Sequence, residues 1–241
     1  MKNDPDDSFR ELVPLYDIIL TYGGGDPVIN EYMNFGARQC VPIYNALDPA
    51  THFPVFPEDK FKCRLSLLAN RMPDREERVW EFFLNPAASM PEYNFILGGN
   101  GWQYNTPDIP NVSFKGHVYT DEHNAFNSSP LAVLNISRDS MAKYGFSPAT
   151  RVFEAAGAGA CIITDWWEGI DYFLEPGKEI LVARNGGEVT EIVKELTPSR
   201  AKEIGKAAMA RVLKEHTYAH RALLMENLLY ALIESTGVSK L

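Results

Sequence analysis

The sequence predicts an α/β fold whose main part is a Rossmann-like, doubly wound parallel sheet. Between residues 61 and 200, about six short apolar runs with strand character alternate with stretches of helical periodicity. This alternation is typical of βαβ crossovers, which place helices on both faces of a mostly parallel sheet. A shorter strand–helix–strand pattern in residues 1–50 indicates the end of another α/β unit.

The N-terminal unit is predicted from three neighbouring segments. The apolar run YDIILTY (16–22) ends at three glycines, as a strand does at a turn. A short helix is expected over 27–37, with a proline in its first turn, and a second strand over 38–44. The stretch 47–59 is rich in proline and has no periodicity, so it is predicted to be a linker.

The predicted strands of the larger unit are apolar runs bounded by polar residues or glycine. They are expected at 61–70, 93–99, 111–116, 130–136, 160–164 and 179–184. The intervening helices are expected at 75–85, 120–127 and 150–157.

The C-terminal part is predicted to be helical. Apolar residues recur at helical spacing over 188–196, and Thr197-Pro198 then opens a helix that runs to about His216. One more helix follows. We therefore divide the chain into an N-terminal unit with its linker, a sheet domain, and a final helix that packs back on the N-terminal unit. The predicted boundaries are 1–56, 57–218 and 219–241.

Composition limits the classes of function. The 241-residue chain carries a formal charge of −9, which makes nucleic acid an unexpected partner. Cys40, Cys63 and Cys161 are far apart and form no C-x-x-C pair, so we expect free thiols rather than disulfides or a zinc site. The start lacks the apolar core of a signal peptide, and no run reaches the length of a membrane span. A cytoplasmic location is predicted.

The loops that follow the predicted strands share one edge of the sheet, here called the ligand edge. Ligands of open parallel sheets bind there, near the point where the strand order reverses. Four arginines, several glycines and several acidic residues are expected at this edge, and the opposite edge has no comparable set. This concentration, rather than any single residue, indicates a binding site.

The segment RVFEAAGAGACIITD (151–165) predicts a helix that packs closely on a strand and carries one acidic residue, Glu154. The free N–H groups and the dipole at the start of this helix favour a phosphate near residues 147–150. A carboxylate one turn further on can accept both hydroxyls of a ribose. Arg71 and Arg75 can add charge-assisted hydrogen bonds to a diphosphate.

Each of these features also has a structural interpretation. Arg71 and Arg75 suit a solvated turn, and Glu154 can pair with Arg151 or Arg71. Glycines after strands are often turns, and GGNGW (98–102) lacks the spacing of a dinucleotide fingerprint. The histidines His117, His123 and His216 have no ligand spacing, so no metal site is expected.

Six motifs follow one another along the chain. They are LLANRMPDRE (67–76), ILGGNGW (96–102), VSFKGHV (112–118), SPATRVFEAAGAGACIITD (147–165), FLEPGKEILV (173–182) and RVLKEHTYAHRA (211–222). In this order, residues 61–230 resemble the nucleotide-sugar domain of GT-B glycosyltransferases. The similarity is to the group 1, family 4-like branch, which includes spore-maturation-type glycosyltransferase-like proteins. Residues 16–56 resemble the last part of that family's N-terminal domain, so a truncated remnant of it is expected.

The resemblance implies a role for each matching position. Glu154 would bind the donor ribose, and Arg71 and Arg75 would contact the donor diphosphate. The helix start, with Ser147, Thr150 and Arg151, would cradle phosphate. No cofactor and no metal are expected, because the helix dipole and basic side chains would stabilise the leaving diphosphate. The residues near the base or sugar would be Asn70, Gly98, Gly99, His117 and Val118.

The chain departs from the family pattern at two places. Many members carry a second glutamate eight positions before the ribose-binding one, where this chain has Phe146. Most of the N-terminal domain, which supplies the acceptor site, is also absent from the match. The expected partners are therefore a nucleotide sugar, an unknown acceptor, and a second copy or another chain that completes the acceptor site. The resemblance implies a metal-independent, retaining glycosyltransferase for a hexose or related sugar. The alternative is a non-catalytic nucleotide-binding or assembly module.

Overall fold

The computed structural model describes residues 8–102, 104 and 106–236. The predicted boundaries at residues 1 and 241 lie outside this part of the chain. The N-terminal unit consists of α1 (Ser8–Leu12), a 3-10 turn, β1 (Ile19–Thr21), α2 (Asp26–Asn34) and β2 (Cys40–Pro42). β1 and β2 pair in parallel, with Ile19 opposite Cys40. The predicted strand–helix–strand order of this unit is confirmed.

The sheet domain contains six parallel strands, as predicted. They are β3 (Leu65–Leu68), β4 (Phe95–Gly98), β5 (Val112–Gly116), β6 (Ala132–Asn135), β7 (Ile162–Asp165) and β8 (Leu181–Ala183). Their spatial order is β5-β4-β3-β6-β7-β8. Counted within the domain this is 3-2-1-4-5-6, the doubly wound order whose switch point lies between β3 and β6.

Helices flank this sheet, and those expected at 75–85, 120–127 and 150–157 lie at the predicted positions. The helical elements that follow the N-terminal unit are α3 (Glu76–Val79), a π turn (Trp80–Leu84), α4 (Asn85–Ala88), α5 (His123–Ser128), α6 (Asp139–Tyr144), α7 (Thr150–Gly157), α8 (Ile170–Phe173), α9 (Gly186–Glu195), α10 (Pro198–Glu215) and α11 (Tyr218–Thr236). The sequence analysis missed α1, α6 and α8. Each has four to six residues, which is too short for a helical period to emerge.

The core lies on both faces of the sheet. On β6, Val133 packs into one hydrophobic cluster with α7, whereas Leu134 packs into the other with α4 and α9. Ile162 and Ile163 divide in the same way on β7. Because every side chain of these strands is buried, the strands appear in the sequence as continuous apolar runs rather than as alternating patterns.

The glycines around the end of α7 allow close contacts, but the nearest atoms belong to the linker and α10 rather than to the sheet. A β-carbon at Gly157 would collide with the side chain of Leu47 and lie 3.0 Å from the carbonyl oxygen of His52. A β-carbon at Gly205, on α10, would collide with the carbonyl oxygen of Gly159. The linker is therefore held against α7.

The first turn of the last helix contacts the N-terminal segment. The backbone N–H of Tyr218 donates to the carbonyl of Leu47 at 3.0 Å, and Arg221 donates to that of Tyr44 at 3.1 Å. Further along, apolar side chains such as Leu223 and Tyr230 are more than half exposed. The predicted packing of the whole segment 219–241 on the N-terminal unit stays a prediction.

Candidate functional site

A cavity of about 180 Å³ lies at the ligand edge beside the switch point. Residues from the ends of β3, β4 and β5 form one side, and α5 and α7 form the other. The structure thus brings together six positions that the sequence analysis selected separately. They are Asn70, Gly99, His117, Val118, Arg151 and Glu154.

The loops after β3 and β4 are locked to each other on this side of the cavity. The Asn70 carboxamide oxygen accepts from the backbone N–H of Asn100 at 2.9 Å. Gly99 has a φ of +117°, and a β-carbon there would collide with the Ala69 carbonyl. Gly99 is therefore required by the approach of these two loops, whereas a role in admitting a ligand stays a prediction. Gly98 belongs to β4 and does not line the cavity.

Arg151 and Glu154 lie on consecutive turns of α7, so both side chains reach the same cavity. The side chain of Glu154 is 22% exposed. No side chain caps the start of α7, where Ala149 is the N-cap residue. The first N–H groups of this helix are therefore left for solvent or a ligand.

A second cation lies next to Arg151. Burial and the charge of Arg75 lower the pKa of Arg151 to about 10. Arg75 itself is only 8% exposed, and burial and the neighbouring Arg138 lower its pKa as well. Neighbouring positive charges of this kind repel each other, and a bound anion would relieve the repulsion.

Arg71 takes a different position from Arg75. Its guanidinium forms an ion pair with Glu76, donates to the carbonyl of Tyr104 and lies 5.7 Å from the ring centroid of Trp102. The ion pair raises the pKa of Arg71. The structure therefore does not bring Arg71 into the cavity, and its predicted diphosphate contact stays a prediction.

A buried ion pair that the sequence analysis missed lies at the same edge. Arg78 pairs with Asp165, which is fully buried at the end of β7. Asp165 also accepts from the backbone N–H of Ser137 at 3.0 Å. Burial raises the pKa of this carboxyl, against the opposing effect of Arg78. Arg78 lies within a predicted helix, where an arginine is common. Its role becomes visible only through its contact with Asp165, which is distant in the sequence.

Ser147 and Thr150 do not line the cavity. Ser147 lines a second cavity of about 290 Å³ between α6 and the β1–α2 loop, together with Tyr22 and Gly23. The preceding residue, Phe146, has a φ of +40°, and its carbonyl accepts from the backbone N–H of Gly24 at 2.8 Å. Thr150 is the first residue of α7 and is half-buried.

Three potential metal ligands meet at the cavity, and two of them, His123 and Glu154, line it. His52, His123 and Glu154 place ligand atoms within 4.8 Å of one another. The sequence analysis dismissed His123 for lack of spacing and did not consider His52, because the two are 71 residues apart and only the fold brings them together.

The family is established by the sequence itself. A model described as "Glycosyl transferase-like" matches residues 75–227, which is more than half of the chain. The chain belongs to the glycosyl transferase-like family. The predicted GT-B relationship is confirmed, whereas the family 4-like branch stays a prediction. No curated protein matches the sequence significantly.

Solved structures support the fold of this glycosyl transferase-like chain. Sucrose-phosphate synthase from Thermosynechococcus elongatus has a TM-score of 0.69 at 16% identity, over 94% of this chain and 61% of that one. HepE (Alr3699) from Anabaena, in complex with UDP, has a TM-score of 0.71 at 14% identity, over 96% and 70%. BGT of T4 phage, with its UDP-glucose substrate, has a TM-score of 0.63 at 17% identity, over 89% and 63%.

Two parts of the prediction, the acceptor with the partners and the cellular location, are not established by these findings. The chain spans about three fifths of the sucrose-phosphate synthase chain, so the acceptor and the partners stay predictions. Among the described helices, none combines the length and apolar character that a membrane crossing requires. The predicted cytoplasmic location is not tested by this finding.

Proposed function

We propose that this chain binds a nucleoside-diphosphate sugar and takes part in transfer of the sugar to an acceptor. The observation that carries the proposal is the pairing of Arg151 and Glu154 on consecutive turns of α7, facing one cavity at the switch point. An anion-binding group and a hydroxyl-accepting carboxylate are thereby separated by about 4.5 Å along the helix axis, slightly less than one helical turn. A ribose and its phosphate match such a separation.

The cavity divides into two ends. The nucleoside end comprises Asn70, Gly99, His117, Val118 and Glu154. Here Glu154 accepts the ribose hydroxyls, and the backbone near Val118 faces the base. Val118 is buried against Phe126, which fixes this wall of the cavity.

The diphosphate end comprises Arg151, which lines the cavity, and Arg75 beside it. Arg75 and Arg151, with the uncapped start of α7, neutralise the negative charge that develops on the departing diphosphate. This chemistry supplies the stabilisation that a metal ion supplies in other transferases, so transfer is proposed to be metal-independent. Retention of anomeric configuration is proposed from the family resemblance alone.

Calorimetric titration with UDP, GDP, ADP and TDP tests donor binding. One of them is expected to bind, and Glu154→Gln is expected to weaken that binding at least about tenfold, because it removes a charged acceptor of two hydrogen bonds. Glu191→Gln, the same change at an exposed position on α9, is the matched control. Binding of none of the four nucleotides would overturn the proposal.

The alternative, a nucleotide-binding module without turnover, is favoured by one observation. Phe146 stands where many members of the family carry a second glutamate, and its ring packs against Gly25 and Gly169. Incubation with the sugar nucleotide that binds, followed by assay of free nucleoside diphosphate and NMR of the product anomer, separates the two functions. Nucleotide affinity without release of nucleoside diphosphate, with or without candidate acceptors, would favour the module.

A further inference from the structure

Three side chains from distant parts of the sequence converge on one point at the nucleoside end. His52 comes from the linker, His123 is the first residue of α5, and Glu154 lies in α7. Their ligand atoms all lie within 4.8 Å of one another, and His52 Nε2 is 4.0 Å from Glu154 Oε1. The two imidazole rings are nearly parallel, with centroids 6.1 Å apart.

The nitrogen of His52 that faces Glu154 has no hydrogen-bond partner among the described residues. The residue is 8% exposed, and Nε2 is buried without a hydrogen bond from any described residue. Buried polar atoms in folded proteins are nearly always satisfied, so an orphan of this kind needs an occupant of the adjacent space. At 4.0 Å the carboxylate is too far away to be that partner.

The surrounding contacts hold these ligands in place. The side chain of Asn124 donates to the carbonyl of Thr51 at 2.9 Å and accepts from the backbone N–H of Phe53 at 3.2 Å. Because Asn124 follows His123, this clamp fixes the two histidines relative to each other. His123 Nε2 also lies 3.3 Å from the carbonyl of Val118. A donated bond there leaves Nδ1 as the free ligand atom, the arrangement common for metal-bound histidines.

The helix that carries Glu154 is brought to the same point by a small residue. Gly157 lies one turn after Glu154, and its missing side chain lets α7 contact the carbonyl oxygen of His52. The position of Glu154 relative to His52 is therefore set by a contact between α7 and the backbone of His52, which leaves little room for adjustment.

We propose that His52, His123 and Glu154 bind a divalent transition metal, with Zn²⁺ as the best match. Two imidazoles and one carboxylate form a ligand set that Zn²⁺ accepts, with the fourth tetrahedral position left open. Ligand atoms about 2.1 Å from a tetrahedral ion are about 3.4 Å apart. Small side-chain rotations close the present separations to that value.

The metal competes with the nucleotide for one carboxylate, a consequence that rests on the proposed function. Glu154 accepts the ribose hydroxyls in the donor complex, and Oε1 faces His52 in this structure. An ion held by Oε1 takes that oxygen from the ribose, so metal binding lowers nucleotide affinity. The site would then make donor binding sensitive to free zinc.

The test uses untagged protein that has been treated with a chelator and contains no nucleotide. Zn²⁺ is titrated by calorimetry, and Co²⁺ by its visible absorption. We expect one ion per chain, and at least about tenfold weaker binding in each of His52→Gln and His123→Gln. His220→Gln, at an exposed histidine on α11, is the matched control and should bind as the wild type does.

Two results would overturn the metal site: no binding with one-to-one stoichiometry, or binding that survives both substitutions. His123 is only half-buried, so His123→Gln gives a reading even where His52→Gln disturbs the linker.

Titration with the nucleoside diphosphate that binds, with and without saturating Zn²⁺, then tests the competition. Weaker nucleotide binding with zinc in the wild type, and no change in His123→Gln, supports the shared carboxylate, whereas an unchanged wild type rejects it. Zinc binding without nucleotide binding would overturn the proposed function and leave the metal site intact.

Discussion

The two ends of the cavity are built in opposite ways. The nucleoside end consists of residues that follow three strands and of one carboxylate, Glu154. The diphosphate end has Arg151 with Arg75 beside it, whereas the nearby arginines Arg71, Arg78 and Arg138 already have carboxylate partners. Within the described residues, Arg75 and Arg151 have no carboxylate oxygen within 4.0 Å. The comparison indicates that most arginines at this edge stabilise the loops, whereas these two remain for an anion.

The largest expected effect concerns the arginines that have partners. Asp165→Ala leaves Arg78 without its buried carboxylate, so we expect a loss of about 3–5 kcal/mol in the free energy of unfolding. Asp139→Ala removes the other carboxylate near Arg78, at 3.7 Å and 64% exposed, and should cost less than about 1 kcal/mol. Urea unfolding monitored by circular dichroism measures both. Equal losses in the two variants would contradict a structural role for the Arg78–Asp165 pair.

The next effect is a loss of stability at low pH, which limits the pH range in which ligand binding at the two ends can be compared. Burial, with Arg221 and Arg211 nearby, lowers the pKa of His216 to about 4 from an ordinary 6.5. The folded protein thus favours the neutral ring. The contribution of His216 to the free energy of unfolding is therefore complete above pH 6.5 and declines as the pH falls toward 4. The loss should reach about 3 kcal/mol.

Urea unfolding between pH 7.5 and 4.5 measures this loss. His216→Gln keeps an acceptor for Arg221 but does not titrate, so its stability should fall less steeply over the same range. Parallel curves for the wild type and this variant would show that His216 is not the group responsible.

A smaller effect separates the free arginine from a paired one. Arg75→Gln should weaken binding of the nucleoside diphosphate at least about tenfold, because a charged hydrogen-bond donor is lost. Arg71→Gln should weaken it less than about threefold, since Arg71 is already paired with Glu76 near the surface. Calorimetry on both variants measures the difference. A larger loss for Arg71→Gln would reverse the assignment and make Arg71 the main contact of the diphosphate.

The fold was largely predictable because its signals are local. The inner strands β3, β4, β6 and β7 are almost fully buried and therefore appear as apolar runs. α7 begins and ends near the predicted residues. Arg151 and Glu154 also emerged from the sequence, because residues three apart on a helix point the same way.

The remaining features depend on contacts that no local pattern contains. Arg78 and Asp165 are 87 residues apart, and the convergence of His52 with His123 depends on how the linker crosses α7. Phe146 shows the same limit. Its ring packs against Gly25 and Gly169, and its backbone N–H donates to the carbonyl of Glu168 at 2.6 Å. The position where the family pattern has a glutamate therefore serves here as a packing contact between the N-terminal unit and the ligand edge.

The central claim, that one cavity has a nucleoside end and a diphosphate end, is tested most directly by comparing two ligands. Calorimetry should measure the affinity of the wild type, Glu154→Gln and Arg75→Gln for two ligands. One is the nucleoside diphosphate that the wild type binds, and the other is inorganic pyrophosphate. Glu154→Gln is predicted to weaken the nucleoside diphosphate at least about tenfold and leave pyrophosphate unchanged, whereas Arg75→Gln weakens both. Equal effects of Glu154→Gln on the two ligands, or no effect of either substitution, would contradict the account.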